Sequence, residues 1–260
     1  MKHIKRKFLS EISKSEFEKL SEGKNVTSIP RGEKTPPLNP KFAKNHIGHL
    51  ATESGILIQS FPIKVDGKLL MIPEPDPTLI YFSSAQNNYR LSKQYRVELL
   101  PKIDVQSDIS EEIIHDFYNY FSSTCGSVIF LFTSLESFMN SLIKDDYFYR
   151  KEQNNRTEIY NKKQIEQHIS FDEKIKKVIP QLTGIDFLGS HPIVKQNIDN
   201  LKEFRDSIIH TKSNKDEFTY DHIVKKSFNF DYDKAIEMVA KYMNGYKSNY
   251  ILECPCNADF

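Results

Sequence analysis

Arg205 and His210 stand five positions apart in Arg205-Asp206-Ser207-Ile208-Ile209-His210, inside a segment whose apolar spacing predicts a helix. Those two residue types suit metal-free cleavage of RNA, which carries its own nucleophile, the 2′-OH. Attack on the adjacent phosphate needs a base for that proton, an acid for the leaving 5′-oxygen and a positive charge on the phosphate. Histidine titrates near neutral pH and serves as base or acid. Arginine stays charged, and its planar fork fits phosphate oxygens. At about 100° per residue, Leu201, Phe204 and Ile208 share one face, with Arg205 at its edge and His210 further round on the polar side. Asp206, four residues before His210, is placed to bond and orient its imidazole. An outward-facing Arg/His set suits a cleft shared by two copies about a two-fold axis, one histidine acting as base and the other as acid. The plainer alternative is an exposed helix charge beside a histidine that favours a helix C-terminus.

The elements that must position these residues are helical. From Asp108, with Glu111 as a capping pair, a long apolar helix is expected, interrupted near Gly126. Its stretch SVIFLFTSLESFMNSLI is apolar almost all round and reads as the central buried helix. Glu136 lies within it, and a buried carboxylate needs a partner, for which Arg205 is the candidate. Residues 150–163 are polar and read as a loop. Ser170 and Glu173 form a second capping box, and Thr183-Gly184 closes that helix. Pro192 suits a first helical position and opens the Arg/His helix. Asn229 or Asp231 starts a last helix, which Gly245 ends. This pattern describes an α-helical bundle.

The first part of the chain reads differently. An amphipathic helix is expected over 3–21, with Ile4, Phe8, Ile12, Phe17 and Leu20 along one side. A connection rich in Gly and Pro follows from Gly23 to Pro40. Two apolar runs flank Asp66-Gly67, a strong hairpin signal, and Pro62 marks its strand as an edge or a bulge. Pro73, Pro75 and Pro77 end the hairpin, and residues 84–100 read as another helix. The expected fold is therefore mainly α: an extension over 1–107 containing a β-hairpin, a helical bundle over 108–250 and a tail over 251–260.

Residues 108–249 resemble the HEPN superfamily, helical bundles of bacterial toxin–antitoxin and anti-phage systems. LFTSLESFMNSLI is similar to that family's first long helix with its acidic residue, SFDEKIKKVIPQLTG to its capped second helix, and LKEFRDSIIH to its Arg-x4-6-His helix. The resemblance implies a metal-independent endoribonuclease without cofactor, working as a homodimer on RNA. Its catalytic residues would be Arg205 and His210, with Asp206 beside them and Glu136 in support. The implied partners are RNA, a second copy, and an antitoxin or other defence-system protein. Asp206 departs from the asparagine frequent at that place and adds a negative charge beside a phosphate site.

Composition sets the remaining bounds. With 38% hydrophobic residues, 18 Phe and 13 Tyr, the chain can fill a core. A net charge of +1 gives no global field toward nucleic acid or membrane, so any RNA contact must be local. Three cysteines in 260 residues make no disulfide framework. No stretch reads as a membrane span, the basic start lacks the apolar run of a secretory signal, and the cytoplasm is the expected compartment. Cys254-Pro-Cys256 and His46-Ile47-Gly48-His49 are each at most half of a zinc site. Lys174, Lys176, Lys177 and Lys225-Lys226 either border an RNA groove or form solvated faces. Tyr147, Phe148 and Tyr149 either stack bases or close the core. A non-catalytic HEPN module binding RNA, a nucleotide or a protein is the alternative function, and a chance motif on an unrelated helical scaffold is the third reading.

Overall fold

The computed structural model describes residues 4, 11–12, 15, 18–19, 22, 48–51, 57–104, 108–153, 156–210 and 220–254. The chain divides into two units, Lys7–Asp76 and a mainly helical one made of Met1–Arg6 and Pro77–Phe260.

In the unit Lys7–Asp76, β1 (Glu11–Ile12), β2 (Gly48–Ala51), β3 (Leu57–Val65) and β4 (Lys68–Pro73) form an antiparallel sheet. β3 is the shared strand, pairing with β1 and β2 at its start and with β4 from Ser60 to Val65. Asp66 and Gly67 have φ of 48° and 78°, the two positive values that a two-residue hairpin turn of type I′ requires. Antiparallel pairs alternate between hydrogen-bonded and open, beginning hydrogen-bonded at such a turn. Counting back from Val65, Pro62 opposite Met71 falls on an open pair. The N–H it lacks would have pointed away from β4, so the ladder loses nothing. The helix expected over 3–21 is not formed as one element: Glu11–Ile12 is a strand on β3, while Ile4 bridges Glu253 within the other unit. β-branched Ile12 pairs as readily as it coils, and the backbone partner on β3 decides the outcome. Phe8, Phe17, Leu20, the whole connection from Gly23 to Pro40, and His46 lie outside the described residues.

The helices of the other unit begin at Pro77, ahead of Asp108. Pro77 opens α1 (Pro77–Leu99), taking a first-turn position where a missing N–H costs no bond. After a 3₁₀ turn at Leu100–Lys102 comes α2 (Glu111–Leu142), continuous over 32 residues. Its N-cap is Ser110, whose hydroxyl accepts the Ile113 N–H, rather than Asp108. α1 and α2 run antiparallel: Thr78 Oγ1 donates to Ser137 Oγ at 3.1 Å, and Ser127 Oγ to the Ala85 carbonyl at 3.0 Å. A Cβ on Gly126 would stand 2.8 Å from Asn88 Oδ1. The glycine that suggested an interruption therefore permits a close helix crossing. Among the described residues α2 alone is long and apolar enough to cross a bilayer, which corrects the expectation of no such stretch; 44% of its most apolar window is buried inside the protein.

Residues 148–161 correct the expected loop. They form a hairpin, β5 (Phe148–Gln153) with β6 (Arg156–Asn161). It is anchored through Tyr149, buried, whose hydroxyl donates to Glu173 at 3.0 Å. Alternation of Tyr149 and Lys151 inward against exposed Phe148 carries the strand signal, which high polarity obscured. Asn161 and Gln164 form a reciprocal capping box on α3 (Lys162–His168). α4 follows as Phe171–Glu173, a π-helical turn at Lys174–Val178, and Ile179–Thr183. Ser170 caps it as expected, but the Glu173 carboxylate turns to Tyr149 and Lys151 instead of back to the cap. Gly184, at φ 72°, ends it.

α5 (Phe187–Ser190), α6 (Pro192–Ile209), α7 (Asp221–Asn229) and α8 (Tyr232–Tyr246) complete the unit. Pro192 opens α6 and Asp231 caps α8 through the Lys234 N–H. Tyr120 of α2 donates to the Ser227 carbonyl of α7 at 2.9 Å, and Phe138 meets the Tyr242 ring of α8 edge-on. The expected tail is partly packed: Ile251 is buried, and the Asn244 amide both donates to and accepts from its backbone. Gly245 does not end α8. It lies inside the helix, and a Cβ there would collide with the Phe187 ring, itself wedged against Tyr242 and Tyr246. Gly245→Ala should therefore destabilise by about 1–3 kcal/mol through overpacking, more than the ~1 kcal/mol that helix propensity returns. Gly126→Ala should cost less, because the Asn88 amide can turn aside. Urea unfolding midpoints of the two variants check this ordering.

Candidate functional site

α6 buries Val194, Ile198, Leu201 and Phe204, the core-facing row of an amphipathic helix. That register places Arg205 at the edge of the core and His210 beyond it. The Arg205 side chain is 19% exposed, and its guanidinium lies over the Phe132 ring of α2 at 3.9 Å from the centroid, a cation–π distance. Phe132 itself packs against the tilted ring of Phe171 of α4, the centroids 4.5 Å apart. Glu136, one turn along α2, faces the same cation, with Nη2 to Oε2 at 3.7 Å. The expected approach of Glu136 to Arg205 is present, although Glu136, its side chain 36% exposed, sits at the rim rather than in the core.

Asp206 does something other than orient the histidine. Its Oδ1 accepts Arg205 Nη1 at 2.7 Å, and its Oδ2 accepts Lys202 Nζ at 3.1 Å. Only its backbone reaches His210, whose N–H donates to the Asp206 carbonyl at 2.9 Å. The reason is geometric. His210 is the C-cap, at φ −100° and ψ 51°, so the helical (i, i+4) side-chain alignment is lost where the helix ends. The His210 ring is exposed and makes no hydrogen bond among the described residues.

Lys202 and Asp172 join the site, and sequence reasoning passed over both. Asp172 of α4 receives Lys202 and Lys176, each at 3.3 Å. An alternating row results: Lys176, Asp172, Lys202, Asp206, Arg205, Glu136. The hydrogen bond to Asp206 holds the Lys202 ammonium above its ordinary value, against desolvation. Desolvation pushes the Asp172 carboxyl up, but the bonds from Lys176 and Lys202 outweigh it and leave it below the usual range. The (i, i+4) spacing of Lys202 and Asp206 was a readable signal. The contact with Asp172 was not, because it joins two helices.

The basic clusters are largely committed elsewhere. Lys174 is buried, at 4% exposure, and Nζ donates to Asn140 Oδ1 at 3.3 Å and to the Glu166 carbonyl at 3.0 Å. It is no part of a groove. Lys225 pairs with Asp221 and Lys226 with Glu203, while Lys177 is exposed. Of the aromatic run, Tyr149 closes the core and Phe148 stays exposed. Cys254 is a free cysteine, and Cys256 lies outside the described residues. Comparison with protein-family models, with curated proteins and with solved structures finds no match to this chain.

Burial pushes the Lys174 ammonium below its ordinary 10.5, against the charges of Glu136 and Glu166. The unfolded chain then binds this proton more tightly than the folded one. Lys174 therefore costs stability at neutral pH, and the cost is relieved as pH rises from the folded value toward 10.5. Lys174→Met removes that titration, so the wild type should gain stability relative to the variant over that rise. Urea unfolding of both proteins at steps above about pH 7 measures it; parallel profiles would contradict it.

Proposed function

We propose that this chain is a metal-independent endoribonuclease of the HEPN type, acting in the cytoplasm as a homodimer and serving as a toxin or phage-defence effector. The observation that carries the reading is the division of labour at the end of α6. Arg205 is anchored over Phe132 at 3.9 Å with its charge at the surface edge, and His210 stands exposed just past the last helical turn. A fixed cation and an exposed imidazole at the end of one helix are the groups that phosphodiester cleavage by the 2′-OH asks for. In the reaction His210 of one copy takes the 2′-OH proton as the 2′-oxygen bonds to phosphorus. The bond from phosphorus to the 5′-oxygen breaks, and that oxygen receives a proton from His210 of the other copy. Arg205 compensates the charge on the phosphorane oxygens. The products are a 2′,3′-cyclic phosphate and a 5′-hydroxyl.

One observation favours a second reading, a non-catalytic module that binds RNA, a nucleotide or a protein. Arg205 already faces two carboxylates, Asp206 at 2.7 Å and Glu136 at 3.7 Å, so its charge is neutralised in the free chain. Single-stranded RNA decides between the two. Cleavage should persist in EDTA, spare DNA and 2′-O-methylated RNA, and leave a cyclic phosphate. Arg205→Ala and His210→Ala should each slow it by about 10²-fold or more. Folded dimer that binds RNA but leaves it uncut between about pH 6 and 9 would establish the module instead.

A further inference from the structure

Lys202 and Arg205, one turn apart on α6, converge on a single carboxylate. Arg205 Nη1 donates to Asp206 Oδ1 at 2.7 Å, and Lys202 Nζ to Asp206 Oδ2 at 3.1 Å. Two cations on separate oxygens of one small anion is an arrangement that also holds a phosphate, whose two non-bridging oxygens can replace the carboxylate pair. The seat is built rather than incidental. Phe132 fixes the guanidinium from one side, and Asp172 holds the Lys202 ammonium at 3.3 Å from the other. It is also reachable: the Lys202 and Asp206 side chains are 28% and 33% exposed. Arg205 keeps Nη2 free of any hydrogen bond among the described residues, its distance to Glu136 being 3.7 Å. A donor is thus in reserve for a larger anion.

We infer that Lys202 and Arg205 form a two-cation seat for an RNA phosphodiester, and that Asp206 fills this seat in the free protein as an internal stand-in. RNA enters by exchanging with the carboxylate, so Asp206 lowers affinity and Lys202 is a substrate-binding residue. Only the choice of RNA rests on the nuclease reading; the seat stands on its own geometry.

The test is binding of a 2′-O-methylated single-stranded oligonucleotide, which cannot be cleaved through a 2′-OH, to the full chain over a range of salt. Asp206→Asn keeps the shape and removes the competing charge, and should tighten binding about tenfold, the scale of one charged hydrogen bond. Lys202→Gln should weaken binding by a similar factor and flatten the log–log salt slope by about 0.7, one phosphate contact on a single strand. In the double variant the gain from Asp206→Asn should shrink, because one of the two donors is gone. Thermal melting monitors folding, and if Asp206→Asn is misfolded the Lys202→Gln slope decides. Unchanged or weaker binding by folded Asp206→Asn, an unchanged slope for Lys202→Gln, or no binding by any form overturns the seat. Cleavage of unmodified RNA is followed in parallel. The expected binding shifts without cleavage keep the seat and remove the nuclease, whereas cleavage without those shifts does the reverse.

Discussion

α2 is apolar around most of its circumference, and a helix of that kind must be wrapped before it is stable. The neighbours follow from this demand. α1 lies against its small residues, where Gly126 and Ser127 let the backbones close up, and α8 brings Tyr242 to Phe138. α6 covers Phe132, and there the wrapping meets a charged edge, because Arg205 closes the side of an aromatic pair that Phe171 has already begun. The candidate site is thus a by-product of how the core is sealed. The same aromatic surface that excludes water from the bundle sets the plane of the guanidinium.

Electrostatics then refines what packing has placed. The groups in the row from Lys176 to Glu136 are all partly exposed, so each pair adds only some tenths of a kcal/mol to stability. Its role is positional. Each carboxylate between two cations removes a rotational freedom from both, and α4 and α6 are pinned in register by Asp172. Among the described residues, His210 receives none of this help and is held only through its backbone at the helix end.

Helix types and most caps were legible in the sequence wherever the apolar period was long: α2, α6 and α8 stand where their spacing puts them, with Pro192 and Asp231 at their starts. So was the Asp66-Gly67 hairpin, because a two-residue turn has few solutions. What escaped was decided by partners distant in sequence. Pro77 looks like a terminator until α2 is there to receive α1. Residues 150–163 look like a loop until Glu173 accepts Tyr149. Gly126 and Gly245 look like breaks until Asn88 and Phe187 claim the missing Cβ space. At the site, Arg205 and Glu136 could be paired from burial logic, yet the allegiance of Asp206 went to Arg205 and Lys202, since the helix ends at His210 and turns the imidazole away.

The row of alternating charges also constrains how this sequence can change over generations. Replacing Lys202 leaves Asp172 and Asp206 each with one fewer cation, and replacing Asp206 leaves Lys202 and Arg205 with one fewer anion. The effect of a later substitution then depends on which came first, because neighbours that share partners do not act additively. Drift along these six positions has permitted and forbidden orders. Descendants that keep the fold should therefore exchange such charges in pairs, as compensated events, rather than one at a time.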